Sequence, residues 1–286
     1  MISIFAKRAF LNTSPNTEFE SKEKSYHGRG HLQRVSSMIR GDQIAERLGA
    51  RFNPQARYEN DICIYVKPHL KKGMDFNFEG KRSYLDIIDG HKLGELLLKH
   101  PEVGVIVCSQ ADYETMKASL PNKVILIPQH HCNFEGFKRN RKGIKRMGVI
   151  GEENAFEHLP KNLEVDLQKR GIELVKLSKF FSRRDIIDFY MNIDLQIVWR
   201  PYKKRLSNPL KIVNAASFGV PTIALDEPAF REVDGCFLPV GNFKEFLVAL
   251  DSLMVSSTLY DELSQNCLKK AEEYHIDNIA KLYKKL

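Results

Sequence analysis

Arg200, Ser207, Asn208 and Lys211 fall within about a dozen residues, and together they are the residue types that hold an anion. The apolar run Asp194-Leu-Gln-Ile-Val-Trp-Arg-Pro201 reads as a buried strand that delivers Arg200 to its carboxyl end. The loop that follows carries Lys203, Lys204 and Arg205. A helix over Asn208–Phe218 is then expected, with Asn208 as cap and Pro209 at its first position. Unpaired N–H groups and the helix dipole favour a diphosphate there. Lys211 in the first turn adds a charge-assisted contact; for Lys211 and Arg200 the alternative is surface salt bridging. Gly219 suits a left-handed helix end, and Pro221 blocks continuation. Gly219 could also let backbone approach a ligand. Asn214 needs a reason to sit mid-helix, because Asn is a mediocre helix former. It reads as a ribose or sugar contact, or as a buried amide bonded to a neighbouring loop.

A second chemical set precedes this one. Asp86-Ile-Ile-Asp89-Gly90-His91 follows a strand and offers two carboxylates and an imidazole. Asp89 or His91 could take a proton as general base, or Asp89-Gly90 could simply turn the chain. Gly28-Arg29-Gly30-His31 is a glycine-bearing loop that could cradle a phosphate or an acceptor through Gly28, Gly30 and His31. His130-His131 has no third ligand at a recognisable spacing, so no metal set is assigned. Cys63, Cys108, Cys132, Cys236 and Cys267 form no C-x-x-C pair and read as reduced, buried thiols.

These residues need strands to carry them. Apolar runs alternate with helical patterns, which implies βαβ construction and parallel sheets. In the first half the strands are expected at Ile2–Phe5, Asp61–Val66, Tyr84–Ile88, Gly104–Cys108 and Lys123–Ile127. Helices are expected over Val35–Leu48 and after Ser109. The pattern then restarts with strands at Arg146–Ile150, Ile172–Leu177, Leu195–Trp199, Pro221–Leu225 and Cys236–Val240. Ser182 and Asp185 have capping-box spacing before a helix to Met191. Helical patterns also cover Phe156–Lys169, and Asn242–Met254, Thr258–Tyr274 and Asp277–Leu286 at the end of the chain. The restart predicts two Rossmann-like α/β domains with parallel sheets facing a cleft, residues 1–137 and 146–286.

Net charge is +8, from 44 Lys and Arg against 36 Asp and Glu, which favours anionic partners. Lys138, Arg139, Arg141, Lys142, Lys145 and Arg146 cluster within nine residues. They read as a solvated linker or as a patch for phosphate. No run of about 18 apolar residues exists, so no membrane-spanning helix is expected. The N-terminus turns basic too soon for a secretory signal, which points to a cytoplasmic protein.

Strand, loop, helix and Gly-x-Pro-x-Ile together resemble the donor-site segment of GT-B glycosyltransferases. In that family a Pro-x-Lys-x-x-Glu-Ala-x-Ala-x-Gly-x-Pro-x-Ile pattern holds the nucleotide sugar. Pro209, Lys211, Ala215, Gly219, Pro221 and Ile223 match it at corresponding spacings. The loop Gly28–His31 and the strand Lys123–Pro128 resemble the first domain more loosely. The resemblance implies a GT-B fold whose last helix crosses back onto the first domain. It implies a metal-independent transferase that moves a hexosyl or pentosyl group from a nucleotide-diphosphate donor to a hydroxyl acceptor, with no further cofactor. Arg200, Ser207, Asn208, Lys211, Asn214 and Gly219 would form the donor site. The acceptor implied is a glycolipid or surface-polysaccharide precursor, reached at the inner face of an anionic membrane. DNA with hydroxymethylated bases is the enzymatic alternative, although nothing resembles a dedicated DNA-reading helix. Many retaining members carry two carboxylates eight residues apart, and those positions are Leu206 and Asn214 here. That departure sustains a third reading, a GT-B-like binding protein without catalysis.

Overall fold

The computed structural model describes residues 1–6, 35–68, 76–88, 90, 93–139, 141, 143–151, 153–178, 180, 182–200 and 206–286. The chain divides into two compact units. The first comprises Met1–Gln129, Arg205–Asn208 and Ile276–Leu286; the second comprises His130–Lys204 and Pro209–His275.

The first unit is built on a parallel sheet in the order β2-β1-β3-β4-β5-β6. Its strands are β1 (Ile2–Phe5), β2 (Arg51–Phe52), β3 (Ile62–Val66), β4 (Arg82–Asp86), β5 (Gly104–Val107) and β6 (Val124–Leu126). Helix α1 (Gln43–Leu48) is entered through a π-turn, Met38–Asp42, so the helical pattern over Val35–Leu48 is not one regular helix. Helices α2 (Gly94–Lys99) and α3 (Gln110–Ser119) follow, and the Ser109 side chain caps α3 by accepting the Asp112 N–H. The core combines Phe5, Tyr65, Leu85, Leu97, Val105 and Val107 with Leu206.

The second sheet is also parallel, in the order β11-β10-β9-β7-β8. It contains β7 (Arg146–Ile150), β8 (Glu173–Leu177), β9 (Leu195–Val198), β10 (Thr222–Leu225) and β11 (Phe237–Val240). The helices are α4 (Leu163–Gln168), α5 (Arg183–Asn192), α6 (Leu210–Ser217), α7 (Phe243–Val255) and α8 (Ser257–Ala271). The expected capping box at α5 is present, with Ser182 and Asp185 bonded reciprocally. On one face Met147, Val149, Leu195, Ile197 and Ile223 pack with Leu163, Phe246 and Leu250. On the other, Val198 and Ala224 meet Ile212, Val213, Ala216 and Cys267 of α6 and α8. Strands covered on both faces must be apolar throughout, which is why they read as unbroken runs.

The final helix, α9 (Ile276–Tyr283), belongs to the first unit. A fully buried ion pair secures it: Arg40 Nε donates to Asp86 Oδ2 at 2.6 Å, and the guanidinium lies over the Tyr283 ring at 5.6 Å. Arg40 also donates to the carbonyls of Ile127 and Pro128 at 2.8 and 2.9 Å. Burial pushes the Asp86 carboxyl up while Arg40 pulls it back. Asp86 is therefore a structural anchor, not half of an exposed carboxylate pair. All five cysteines are buried and unbridged.

In the basic stretch, read as a solvated linker or a phosphate patch, Arg139, Arg141 and Arg146 are bonded into the second unit. Arg139 pairs with buried Asp194 at 2.8 Å, and Asp194 also accepts the Lys145 and Arg146 N–H groups. Arg141 donates to the Gly219 carbonyl at 2.6 Å and lies over the Tyr260 ring. Arg146 pairs with Glu173 at 3.0 Å. Arg139 and Arg141 thus serve internal acceptors at the amino-terminal edge of the sheet, and Arg146 pairs with a surface carboxylate.

Candidate functional site

The site is assembled at the carboxyl ends of β7, β9 and β10, where ligands of open parallel sheets bind. Helix α6 points its N-terminus at this edge. Its first turn is anchored from below by a buried polar network. Gln196 Nε2 donates to the Lys211 carbonyl and to Thr222 Oγ1, each at 3.0 Å, and Gln196 Oε1 accepts the Tyr190 hydroxyl at 2.9 Å. Burial holds the Tyr190 hydroxyl well above its ordinary pKa, so it remains a donor. The anchoring carbonyl belongs to the residue whose side chain reaches toward the sheet edge.

That side chain lies beside Gly151, the residue after β7. A Cβ at Gly151 would stand 3.0 Å from Lys211 Nζ and 2.9 Å from the Ala155 Cβ. Glycine therefore leaves the room that the ammonium uses. Pro209, not Asn208, holds the cap position of α6, and the helix begins at Leu210. The reason is upstream. Leu206 is buried in the first unit's core, and the Ser207 N–H donates to Asp112 Oδ1 at 3.3 Å. Ser207 and Asn208 thus belong to the first unit, which leaves proline to start the helix.

Arg200 stands at the edge as expected, but in a bidentate pair. Its Nε and Nη2 donate to the two Glu227 oxygens at 2.7 and 3.0 Å. Glu227 is 1% exposed and Arg200 27%. Strand register could have revealed the partner: Val198 lies opposite Ala224, so Arg200 falls opposite Asp226, one residue from Glu227. The guanidinium charge is thus paired within the protein, and the Lys211 ammonium stands at the same sheet edge beside Gly151.

Asn214 is 9% exposed, and its Oδ1 accepts the Cys132 N–H at 2.8 Å. It is a buried amide bonded to a neighbouring segment. Gly219 lies beyond the far end of α6, nine residues or roughly 13 Å from the helix start at about 1.5 Å per residue. It has φ +65°, and its carbonyl accepts from Arg141 and from Ser264 at 2.7 Å. Its position and bonds are those of a helix terminator. Asp89, His91, Gly28, Gly30 and His31 lie outside the described residues. The strand end before Asp89 carries a local strain, because Ile88, β-branched and buried, has φ +51°. His131 is buried with its Nδ1 accepting the Asn133 N–H at 3.2 Å. Burial, then His130 and His275, lower its pKa to about 3.

Among the described residues no group of three or more His, Cys, Asp or Glu gathers as a metal site. No helix among them is long and apolar enough to cross a membrane. A largely apolar groove of about 610 Å³ runs along β11 and α7, lined by Leu238, Pro239, Val248 and Leu259, away from Lys211 at β7.

Solved structures superpose on nearly the whole chain. A glycosyltransferase from Rickettsia africae superposes with a TM-score of 0.56 at 10% identity, covering 99% of this chain and 96% of that one. WaaG, a glycosyltransferase involved in lipopolysaccharide biosynthesis, superposes with a TM-score of 0.53 at 8% identity, covering 98% of each chain. The chain has the GT-B glycosyltransferase fold. In sequence, an uncharacterized glycosyltransferase of Haemophilus influenzae is 24% identical over 185 residues, 58% of this chain. The match spans about half, 49%, of that relative's length. No protein-family model matches.

Proposed function

We propose that the chain is a nucleotide-sugar glycosyltransferase whose donor diphosphate binds at the N-terminus of α6. The observation that carries this reading is the Lys211 ammonium, lodged beside Gly151 on a helix start that Gln196 pins to the sheet. A helix N-terminus with a lysine in its first turn offers N–H donors, dipole and charge to one anion. Arg200, held by Glu227, flanks the same edge. In the reaction, an acceptor hydroxyl oxygen attacks the anomeric carbon, and the carbon–oxygen bond to the diphosphate breaks. The electron pair leaves with the diphosphate, where Lys211 and the helix dipole stabilise the charge as it develops.

The two positions that carry carboxylates in many retaining relatives are committed here to structure. Leu206 is core, and Asn214 binds the Cys132 N–H. The reading therefore favours a single displacement in which Asp89 or His91 takes the hydroxyl proton. The acceptor proposed is a glycolipid or surface-polysaccharide precursor, with the +8 chain meeting an anionic membrane face on the cytoplasmic side. DNA remains the alternative acceptor, and steeply salt-dependent duplex binding would mark it. The loss of both carboxylates also favours a second reading, a protein that binds the nucleotide sugar without transferring it.

Turnover decides between the two. Purified protein is incubated with a panel of nucleotide sugars, with and without lipid-linked or duplex-DNA acceptors, and released nucleoside diphosphate is measured. Acceptor-dependent release supports transfer. Binding without release supports the second reading, and neither binding nor release rejects the donor site.

A further inference from the structure

The chain first enters the second unit at His130 and last leaves it at His275, and these two crossings are fastened together. The His131 N–H donates to the Tyr274 carbonyl at 3.1 Å, and the Phe134 carbonyl lies 3.2 Å from His275 Nε2. The rings of His131 and His275 meet edge to face with centroids 5.5 Å apart. The incoming segment is also fastened to α6. Asn214 Oδ1 accepts the Cys132 N–H at 2.8 Å, and Asn133 Nδ2 donates to the Ser217 carbonyl at 2.8 Å. Arg183 completes the joint by donating to the Cys132 carbonyl at 2.7 Å and covering the Phe134 ring at 4.4 Å.

One helix therefore carries the Lys211 ammonium at its start and holds the crossing segment by its middle. Asn214 lies three residues after Lys211, less than one turn away. An amide mid-helix costs helix propensity, and this one directs its acceptor out of the helix to a backbone N–H of another segment. We infer that Asn214 is a positioning residue that couples occupancy of the α6 N-terminus to the crossing segment His130–Phe137. The inference rests on the donor-site reading above. A ligand that orders the first turn of α6 suppresses opening of the helix, and the Cys132 amide then exchanges more slowly because its acceptor belongs to that helix. Coupling in the reverse direction is required by linkage: loosening the segment must weaken nucleotide binding.

The test is amide hydrogen exchange on the full chain, with and without saturating nucleoside diphosphate. In the wild type, nucleotide is expected to slow exchange at Cys132 by about tenfold or more. In Asn214→Ala that slowing disappears and nucleotide affinity falls several-fold. In Asn214→Asp, which keeps an acceptor for the Cys132 N–H, both return. The wild-type arm needs no variant to fold. Nucleotide that binds without changing Cys132 exchange overturns the coupling and leaves the donor site standing. Slowing that persists in Asn214→Ala assigns the coupling to another contact and overturns the role of Asn214. Absence of nucleotide binding by the wild type overturns the donor-site reading and the coupling together.

Discussion

Replacing Gly151 by alanine changes one methyl group, yet it strikes the fold and the site by different amounts. The added Cβ falls 2.9 Å from the Ala155 Cβ and 3.0 Å from Lys211 Nζ. Carbon atoms pack at about 3.5–4.0 Å, so the backbone turn that bears Ala155 must give way. Overpacking of this kind costs ~1–3 kcal/mol, read as a lower denaturant midpoint. The lysine tip yields more easily, because it ends a flexible chain, and without ligand its displacement costs little. With ligand, the displaced ammonium no longer reaches the anion at the start of α6. A hydrogen bond to a charged group contributes ~1.5–3 kcal/mol, so affinity should fall about ten- to a hundredfold. Lys211→Met should match that loss of affinity without the overpacking loss of stability. Titration calorimetry with nucleoside diphosphate and urea denaturation on both variants read the two effects separately. A Gly151→Ala protein that is destabilised yet binds as tightly as wild type would refute the claim that this vacancy serves Lys211.

Two further perturbations test the charges around the site. Arg200→Ala should cost ~3 kcal/mol even without ligand, because Glu227 stays buried without its bidentate partner. Adding Glu227→Gln to Arg200→Ala should recover part of that loss in urea denaturation, and a single-variant loss near zero would show the pair to be idle. For His131, the folded-state pKa of about 3 lies below the unfolded value of about 6.5. The folded state then binds fewer protons, so the contribution is complete above pH ~6.5 and lost as pH falls below it. The slope is about 1.4 kcal/mol per pH unit, or about 2 kcal/mol between pH 6.5 and 5. His131→Asn should flatten the profile by that amount, and parallel profiles would contradict a neutral, buried imidazole.

Much of the fold was legible because central strands such as β5 and β9 are buried along their whole length and read as short, mostly apolar runs. The runs from Ile2 to Phe5 and from Arg146 to Ile150 could be bounded from sequence alone. The two-residue strand Arg51–Phe52 could not, since so short a segment has no periodicity to read. The same holds for the π-turn at Met38–Asp42, which keeps a helical pattern while changing its bonding. At the site, Arg200 and Lys211 were legible from type and position. Their partners were not, because Glu227 and Gly151 come to them from other strands, across the register of β9 with β10 and from the end of β7. Leu206 and Asn208 sit within a few residues of Lys211, yet the first belongs to a different core and the second to a different unit. Local pattern carries no trace of that crossing.

The donor site is tested most directly by locating a bound nucleotide sugar. Crystals soaked with a panel of nucleotide sugars should show a diphosphate within hydrogen-bond reach of Lys211 Nζ and the first-turn N–H groups of α6, beside Gly151. A nucleotide bound elsewhere on the chain, or none bound from the whole panel, would contradict the account.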